Sequence, residues 1–460
     1  MSMSKKKILL LSDDMRMTSG VATMSKEMVI GSVDKFDWVQ LGAAIKHPEF
    51  GKIVDLNSDV RNKTGVKDAS VKIYPSNGYG NIERLPELIS IEKPDAILHF
   101  TDPHYWQLLY DSEHEIRQQI PIFFYHIWDD LPDPYYNRDY YESCDWLGCI
   151  SKQTYGIVNR VGMSNREVTH KPLKKWQVSY VPHGINPETF KPVEVDDEMR
   201  KFIHGDKDYD FILFFNNRNI KRKQPSDVIY TYKTFCDTLT EEESSKCLLL
   251  MHTRSIDKNG TDLVAVVNEL CPKYDVKFTN DKFDQDKLNR IYNTVDCTIN
   301  IANNEGFGLT TAESVMCGTP IIVNVTGGLQ DQCGFELDGK LITADDYIEI
   351  GTLHDPKKWE GKVTHGEWVS PVWPASTTLN GSVNTPYIFD DRINHYDVVS
   401  SIREMYNLGR DERKRRGLVG RKYMVKNFST KTMCNSLVKG IEKSLSKFTP
   451  KNKFELFKIT

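Results

Sequence analysis

At 460 residues, with 27% charged and 39% hydrophobic residues, the chain has the composition of folded domains and the length for two cores. A net charge of −4 and a pI near 6.3 supply no global basic field, which weakens a nucleic-acid role while leaving local basic clusters open to one. No stretch approaches the ~18 apolar residues of a bilayer span, and the apolar run after Lys7 is too short for a signal-peptide core. The nine cysteines are scattered without a C-x-x-C pair, as buried thiols of a reducing compartment would be. The reading is therefore a cytoplasmic protein with no integral membrane association.

In chain order, Lys6–Ser12 reads as a buried first strand, followed by a loop and a helical pattern from Gly20. Short apolar runs at "WVQLGAA", "DAILHF", "IPIFFYHI" and "WLGCIS" alternate with helical patterns such as Asn81–Glu92. Such alternation predicts a parallel sheet covered on both faces. Pro182, Pro187, Pro192 and a following acidic run interrupt regular structure and mark a linker. A second α/β series starts at "FILFFNN" and runs through "KCLLLMHT", "DVKFT", "CTINI" and "PIIVNV". The fold class is α/β, with a 1–184 N-terminal Rossmann-like domain, a 185–208 linker, a 209–430 C-terminal Rossmann-like domain and a 431–460 helical segment able to return to the first domain. Two doubly wound domains place their crevices at strand C-terminal ends, so a cleft between them is the expected site. Thr352–Asp391, rich in Trp, Gly, Pro and Thr, reads as a long ordered insertion without helical period.

The segment "NNEGFGLTTAESVMCGTP" (Asn303–Pro320) predicts a strand, a glycine turn and a helix. The helix N-terminus suits phosphate oxygens. Glu305 and Glu313, eight positions apart, suit hydroxyl groups instead, because carboxylates repel phosphate. Together they point to phosphates in the middle and a sugar at each end, as in a nucleotide sugar.

Five segments, in order, resemble the retaining glycosyltransferase family 4, which has the GT-B fold of two Rossmann-like domains facing across a cleft. "EGFGLTTAE" looks like its E-x7-E element. "MTSGVATMSKEM" is similar to its first glycine loop, with Ser19 at a usual glycine. "SYVPHGINPETFKP" resembles its interdomain segment, departing at His183 and Asn186. "NRNIKRK" is similar to its Arg/Lys pair, and "TGGLQDQ" to a later Gly-Gly turn with Gln330-Asp331 in place of the usual ending. The resemblance implies donor contacts from Gly20, Arg218, Lys223, Glu305, Gly306, Phe307, Gly308, Leu309, Thr310, Thr311 and Glu313. Arg218 and Lys223 would neutralise a leaving diphosphate. Glu305 would face the donor sugar and Glu313 the ribose. His126, at a strand end, would lie near the transferred sugar, and Asp129 and Asp130 would bind or deprotonate an acceptor hydroxyl. The expected reaction is transfer from a UDP-sugar or another nucleotide sugar, with retention and by front-face attack.

Neither "DYD" (Asp208, Asp210) nor "DQD" (Asp284, Asp286) suits a nucleotide site, so no metal and no cofactor beyond the nucleotide-sugar co-substrate are expected. A nucleotide-sugar-binding protein without turnover is the rival of a different class. The acceptor stays open among a glycan, a small molecule and a hydroxymethylated base in modified DNA, for which "KPLKKW", "IKRK" and "RDERKRRGLVGRKY" could track phosphates. The insertion's tryptophans are candidates for stacking on an acceptor.

Overall fold

The computed structural model describes residues 5–79, 84–164, 172–359 and 362–452. Residues 81–83 of the helix expected from Asn81, Lys171 of the "KPLKKW" cluster and residues 453–460 of the C-terminal segment lie outside them.

The first sheet is built from β1 (Lys6–Asp13), β2 (Phe36–Ala43), β3 (Val54–Asp55), β4 (Val71–Pro75), β5 (Ala96–Phe100), β6 (Ile122–His126), β7 (Trp146–Cys149) and β8 (Val178–Tyr180). Its order is β3-β4-β2-β1-β5-β6-β7-β8, parallel except for the edge strand β3. Ile8, Leu9, Leu10 and Leu11 are all fully buried. Helices cover both sheet faces, so consecutive side chains of a central strand are enclosed and the strand reads as one apolar run. The second sheet comprises β9 (Phe211–Asn216), β10 (Cys247–His252), β11 (Asp275–Thr279), β12 (Cys297–Asn300), β13 (Ile321–Asn324) and a sixth strand, Val369–Val372. Its order is β11-β10-β9-β12-β13 and then that sixth strand, parallel throughout.

Both sheets reverse direction beside their first strand. In the first, the loops after β1 and β5 flank the reversal; in the second, those after β9 and β12 do. Ligand crevices of open α/β sheets form at these points, and the fold sets the two face to face.

The linker is more ordered than its prolines suggest. Its acidic run starts a helix, Asp197–His204, whose N-cap Asp196 accepts from the Met199 N–H. Asp197 and Glu198 sit in the first turn, where the helix dipole favours carboxylates. At Ile185 the outgoing chain pairs with the returning chain at Ser429 (Ile185 N–H to Phe428 O, 2.8 Å; Thr430 N–H to Ile185 O, 3.1 Å). The helix Thr430–Lys447 then packs on the first domain, with Gly440 against the Trp146 ring and Lys447 over the Trp176 ring. All nine cysteines are buried and unpaired. Among the described residues no helix is long and apolar enough to cross a membrane.

The insertion, read as ordered and without helical period, is built largely of strands. It supplies the edge strand Val369–Val372, which tolerates Pro371 because an edge leaves one side unpaired. It also forms an antiparallel hairpin, Ser376–Asn380 with Ile388–Arg392. Its tryptophans are structural. Trp368 is 6% exposed, lies 4.9 Å from the Tyr423 ring and donates to Gln332 O at 3.0 Å; Trp373 donates to Leu353 O at 3.1 Å. Trp368, buried in this way, offers no ring face to an acceptor, whereas Trp373 is half-buried. The basic helix Gly409–Phe428 is likewise engaged internally. Arg413 pairs with the buried Asp296 (2.8 Å), Arg415 with Glu367 and Glu412, and Arg421 donates to the carbonyls of Phe190, Pro187 and Met316. Arg413 and Arg421 are therefore held within the chain, whereas Arg415 stays half exposed among surface carboxylates.

Because Trp368 closes the junction between the edge strand and this helix, Trp368→Ala should cost about 3–5 kcal/mol in urea unfolding, the usual range for removing a large buried ring. A loss below about 1 kcal/mol would show that the junction refills and that Trp368 does not hold it.

Candidate active site

Lys223 ends the short turn Lys221–Lys223 after β9, and Glu305 lies in the loop after β12, so the sheet reversal brings them together. The Lys223 ammonium pairs with Glu305 Oε2, their side chains only 7% and 13% exposed, and Asn300 Nδ2 donates to the same oxygen at 3.3 Å. Burial raises the Glu305 carboxyl, but Lys223 and Arg222 outweigh it and hold Glu305 below the usual carboxylate range. Arg222 Nη1 donates to Asn304 O (2.7 Å) and stands 3.9 Å from Asp129 Oδ2 across the cleft.

The turn leads into the helix Leu309–Cys317. Gly308 adopts φ +84°, a left-handed conformation that suits glycine, and caps the helix without a side-chain bond. Free N–H groups there face the crevice. Thr310 is partly exposed; Thr311 is buried and donates to Gly308 O at 2.9 Å. Gly306 meets the first domain, since a Cβ there would lie 3.0 Å from Ile150 Cδ1, and Phe307 is buried against His183 and Phe428. Gly20 opens the helix Gly20–Ile30 of the first domain, and a Cβ on it would sit 3.3 Å from Leu309 Cδ1. The two helix N-termini therefore converge. Ser19, the departure from the glycine loop, caps the first helix by accepting from Ala22 N–H and donates to Asp13 at 2.5 Å.

Glu313 accepts from Tyr292 OH at 3.0 Å, and Tyr292 in turn accepts from Asn216 Nδ2 at 2.9 Å. Burial pushes the Glu313 carboxyl up to about 7, against the opposing Tyr292 bond. The two glutamates thus differ: Glu305 is held charged, and Glu313 is poised near neutrality.

On the first-domain wall, Asp129 is 20% exposed and Asp130 is buried, with Oδ1 unpartnered. Burial, reinforced by Asp129, pushes the Asp130 carboxyl well above its usual range. Asp129 is the more exposed of the expected pair and the one that stands near Arg222 across the cleft. His126 departs further from expectation. It is 1% exposed, lies 2.8 Å from Tyr141 OH through Nε2, and burial lowers its pKa to about 3. Its ring packs between Phe124 and Tyr141, behind the cleft wall. Arg218 is exposed on the loop after β9 and has no ion-pair partner among the described residues. Asp284 caps the helix Gln285–Thr294 by accepting from Lys287 N–H.

Sequence reasoning missed Arg222, Tyr292 and the hairpin. Arg222 and Lys223 are adjacent, and only the turn decides which of them is buried. Tyr292 sits on an apolar stripe with nothing to mark its hydroxyl. The hairpin bridges the domains: Phe389 N–H donates to Leu131 O (2.6 Å), Tyr387 OH to Asp133 O (3.1 Å) and Tyr136 OH to Tyr387 O (2.8 Å). Asp331 adds a further tie, accepting from Lys152 N–H at 3.0 Å and Tyr180 OH at 2.8 Å. A cavity of about 530 Å³ lined by Arg200, Asp296, Cys317 and Arg410 lies at the N-terminal ends of the second sheet's strands, away from these groups.

Residues 196–350 match the family described as "Glycosyl transferases group 1". A D-inositol 3-phosphate glycosyltransferase of Thermobispora bispora is 33% identical over 197 residues, which is 42% of this chain and 42% of that protein. Sucrose-phosphate synthase of Thermosynechococcus elongatus superposes with a TM-score of 0.64 at 13% identity, covering 96% of this chain and 100% of that one. Anabaena HepE in complex with UDP gives 0.61 at 10% identity, covering 95% and 100%. The chain therefore has the GT-B fold, and its residues 196–350 match the group 1 glycosyl transferases.

Proposed function

We propose that the chain is a retaining glycosyltransferase that moves a sugar from a nucleoside-diphosphate sugar, UDP-linked by preference, to a hydroxyl acceptor without a metal. The observation that carries this reading is the buried Lys223–Glu305 pair beside an uncapped helix N-terminus, opposite Gly20 and Asp129. Glu305, held ionised, accepts hydroxyls of the donor sugar. Glu313 takes the ribose, and the N–H groups of Phe307 to Leu309 with Thr310 and Thr311 hold the phosphates. Lys223 and the exposed Arg218 meet the negative charge that grows on the departing diphosphate. The acceptor oxygen bonds the anomeric carbon on the face the diphosphate leaves. The breaking C–O bond gives its electron pair to the β-phosphate oxygen, which takes the acceptor's proton. Asp129 orients that hydroxyl; His126 takes no part. UDP is favoured because HepE is described with it bound, and the buried thiols fit a reducing, cytoplasmic setting.

The reading is tested by assaying UDP-, GDP- and ADP-sugars in excess EDTA and following product anomers by NMR. UDP-sugar turnover with retained configuration is expected; inversion, or dependence on added Mg²⁺ or Mn²⁺, refutes it. Arg218→Ala and Lys223→Ala should each lower kcat at saturating donor by tenfold or more, about 1.4 kcal/mol of transition-state stabilisation. A change confined to KM would assign them uniform binding.

Glu313 yields a pH signature. Ribose hydroxyls favour its charged form, so binding releases a proton wherever the free carboxyl is protonated. Affinity for UDP-glucose, whose diphosphate is esterified at both ends, should rise with pH up to about 7, by at most about tenfold per unit, and then level off. Calorimetry between pH 5.5 and 8.5 should show that slope in the wild type and none in Glu313→Gln. A slope surviving in the variant removes Glu313 from the nucleotide site.

A further inference from the structure

The cavity of about 530 Å³ at the N-terminal ends of the second sheet's strands takes no part in the cleft. Its walls come from residues 192–195 of the linker, the helix Asp197–His204, the turns before β12 and β13, and the start of the helix Gly409–Phe428. The linker wall is fixed: Val193 N–H donates to Asn293 Oδ1 at 2.9 Å, and Asn293 Nδ2 donates to Lys191 O at 2.9 Å. Arg200, Arg410, Arg413 and Lys414 line the cavity, against the carboxylates of Glu194 and Asp296. Glu194 is exposed. Asp296 is largely spent, accepting from Ile212 N–H at 2.9 Å and Arg413 Nη2 at 2.8 Å, with Arg410 Nε 3.9 Å away. The carbonyl end of the helix Leu309–Cys317 also reaches the wall, but Gly318 N–H bonds Ser314 O and Val315 O, and Arg421 donates to Met316 O. Arg200 and Lys414 have no ion-pair partner among the described residues. The cavity therefore carries an excess of positive charge.

Two buried donors on its walls are left without an acceptor. His204 Nδ1 accepts from Tyr209 N–H at 3.3 Å, which places the ring hydrogen of the neutral imidazole on Nε2. Asp208, 3.5 Å from the same Nδ1, is exposed and too distant to displace that backbone donor. Burial, with Arg200 and Arg410 acting in the same direction and Asp208 and Asp296 against them, lowers the His204 pKa and keeps the ring neutral. Its side chain is 7% exposed, yet Nε2–H has no acceptor among the described residues. Arg413 is 3% exposed; its Nη groups reach Asp296 and the Met405 carbonyl, while Nε–H is unpartnered. Buried donors without acceptors are costly, so a pair of them on one cavity calls for a ligand that brings oxygens. We propose that this cavity is a second ligand site, separate from the cleft, for a small phosphorylated molecule. Phosphate oxygens accept from His204 Nε2 and meet Arg200, Arg410 and Lys414, whose guanidinium forks match them. Val295, Pro320 and Leu418 line the remainder and pack on the body that bears the phosphate, and the volume is that of a small-molecule site. The inference does not depend on the donor-site reading.

The test titrates ATP and inorganic pyrophosphate, each in excess EDTA, into the whole chain by calorimetry. The proteins are the wild type, Arg200→Glu, Lys414→Glu, His204→Phe and, as a control, Lys422→Glu. Lys422 is exposed on the same helix as Lys414 but does not line the cavity, so its reversal makes the same charge change elsewhere. Saturable binding of at least one probe to the wild type is expected, weakened about tenfold or more in the three cavity variants and by no more than about twofold in Lys422→Glu. Tighter binding of ATP than of pyrophosphate would show that the apolar wall reads the nucleoside; equal affinity would show that the phosphates are held by themselves. The inference falls if neither probe binds the wild type. It falls equally if Arg200→Glu and Lys414→Glu bind as the wild type does, which would place the anion elsewhere. A loss in Lys422→Glu as large as that in Lys414→Glu would also overturn it, by showing a diffuse surface field and not a site. Arg200→Glu and Lys414→Glu alter exposed side chains, so the comparison stands even if His204→Phe does not fold.

Discussion

The Lys223–Glu305 pair is the constraint around which the second domain is arranged. Two charges at this depth are costly to desolvate, and their mutual attraction is weak grounds for stability. What the pair does is fix positions: it ties the loop after β9 to the loop after β12 across the one place where the sheet reverses. Asn300 and Arg222 complete the shell, one bonding the carboxylate and the other the adjacent backbone. With Glu305 so held, the chain turns through Gly308 and begins the next helix with its free N–H groups directed into the crevice.

The domains meet through more than the cleft. The hairpin reaches the 131–136 loop, and Asp331 reaches Lys152 and Tyr180 on the other side. The Asp331 contact uses the residue that departs from the family pattern after the Gly-Gly turn. The departure is explained by docking, since a buried carboxylate there has two donors from the facing domain. The insertion does comparable work with backbone groups and tyrosines, while its tryptophans hold it to its own domain.

Strands buried on both faces were legible because each is a continuous apolar run, and the two α/β series with the break between them followed from that alone. The turn at Gly308 and the helix after it were legible because glycine and helical spacing are local signals. The strand Val369–Val372 was not, since Pro371 argues against a strand except at an edge, and edges are decided by tertiary neighbours. Among candidate site residues, Glu305 stood out from its spacing to Glu313 and Lys223 from the resemblance of "NRNIKRK", and the structure brings the two side chains together. His126 ends its strand as read, but position at a strand end says how far along the strand a side chain lies, and not that its ring is buried against Tyr141. Arg222 was hidden beside Lys223 in a single turn, where chemistry alone does not separate adjacent cations.

The paired crossing at Ile185 and Ser429 has a mechanical consequence. Two independent connections would let the domains twist and translate freely, but two that are hydrogen-bonded to each other act as one hinge with a fixed axis. Opening then becomes a rotation about that axis, and displacement grows with distance from it. Phe428, at the hinge, packs on Phe307 of the turn before the helix Leu309–Cys317, which therefore travels least, while the hairpin's contacts with the 131–136 loop must part for the domains to separate. Separation of the domains is thereby tied to the release of the hairpin's hydrogen bonds at the rim and of Asp331's bonds to Lys152 and Tyr180.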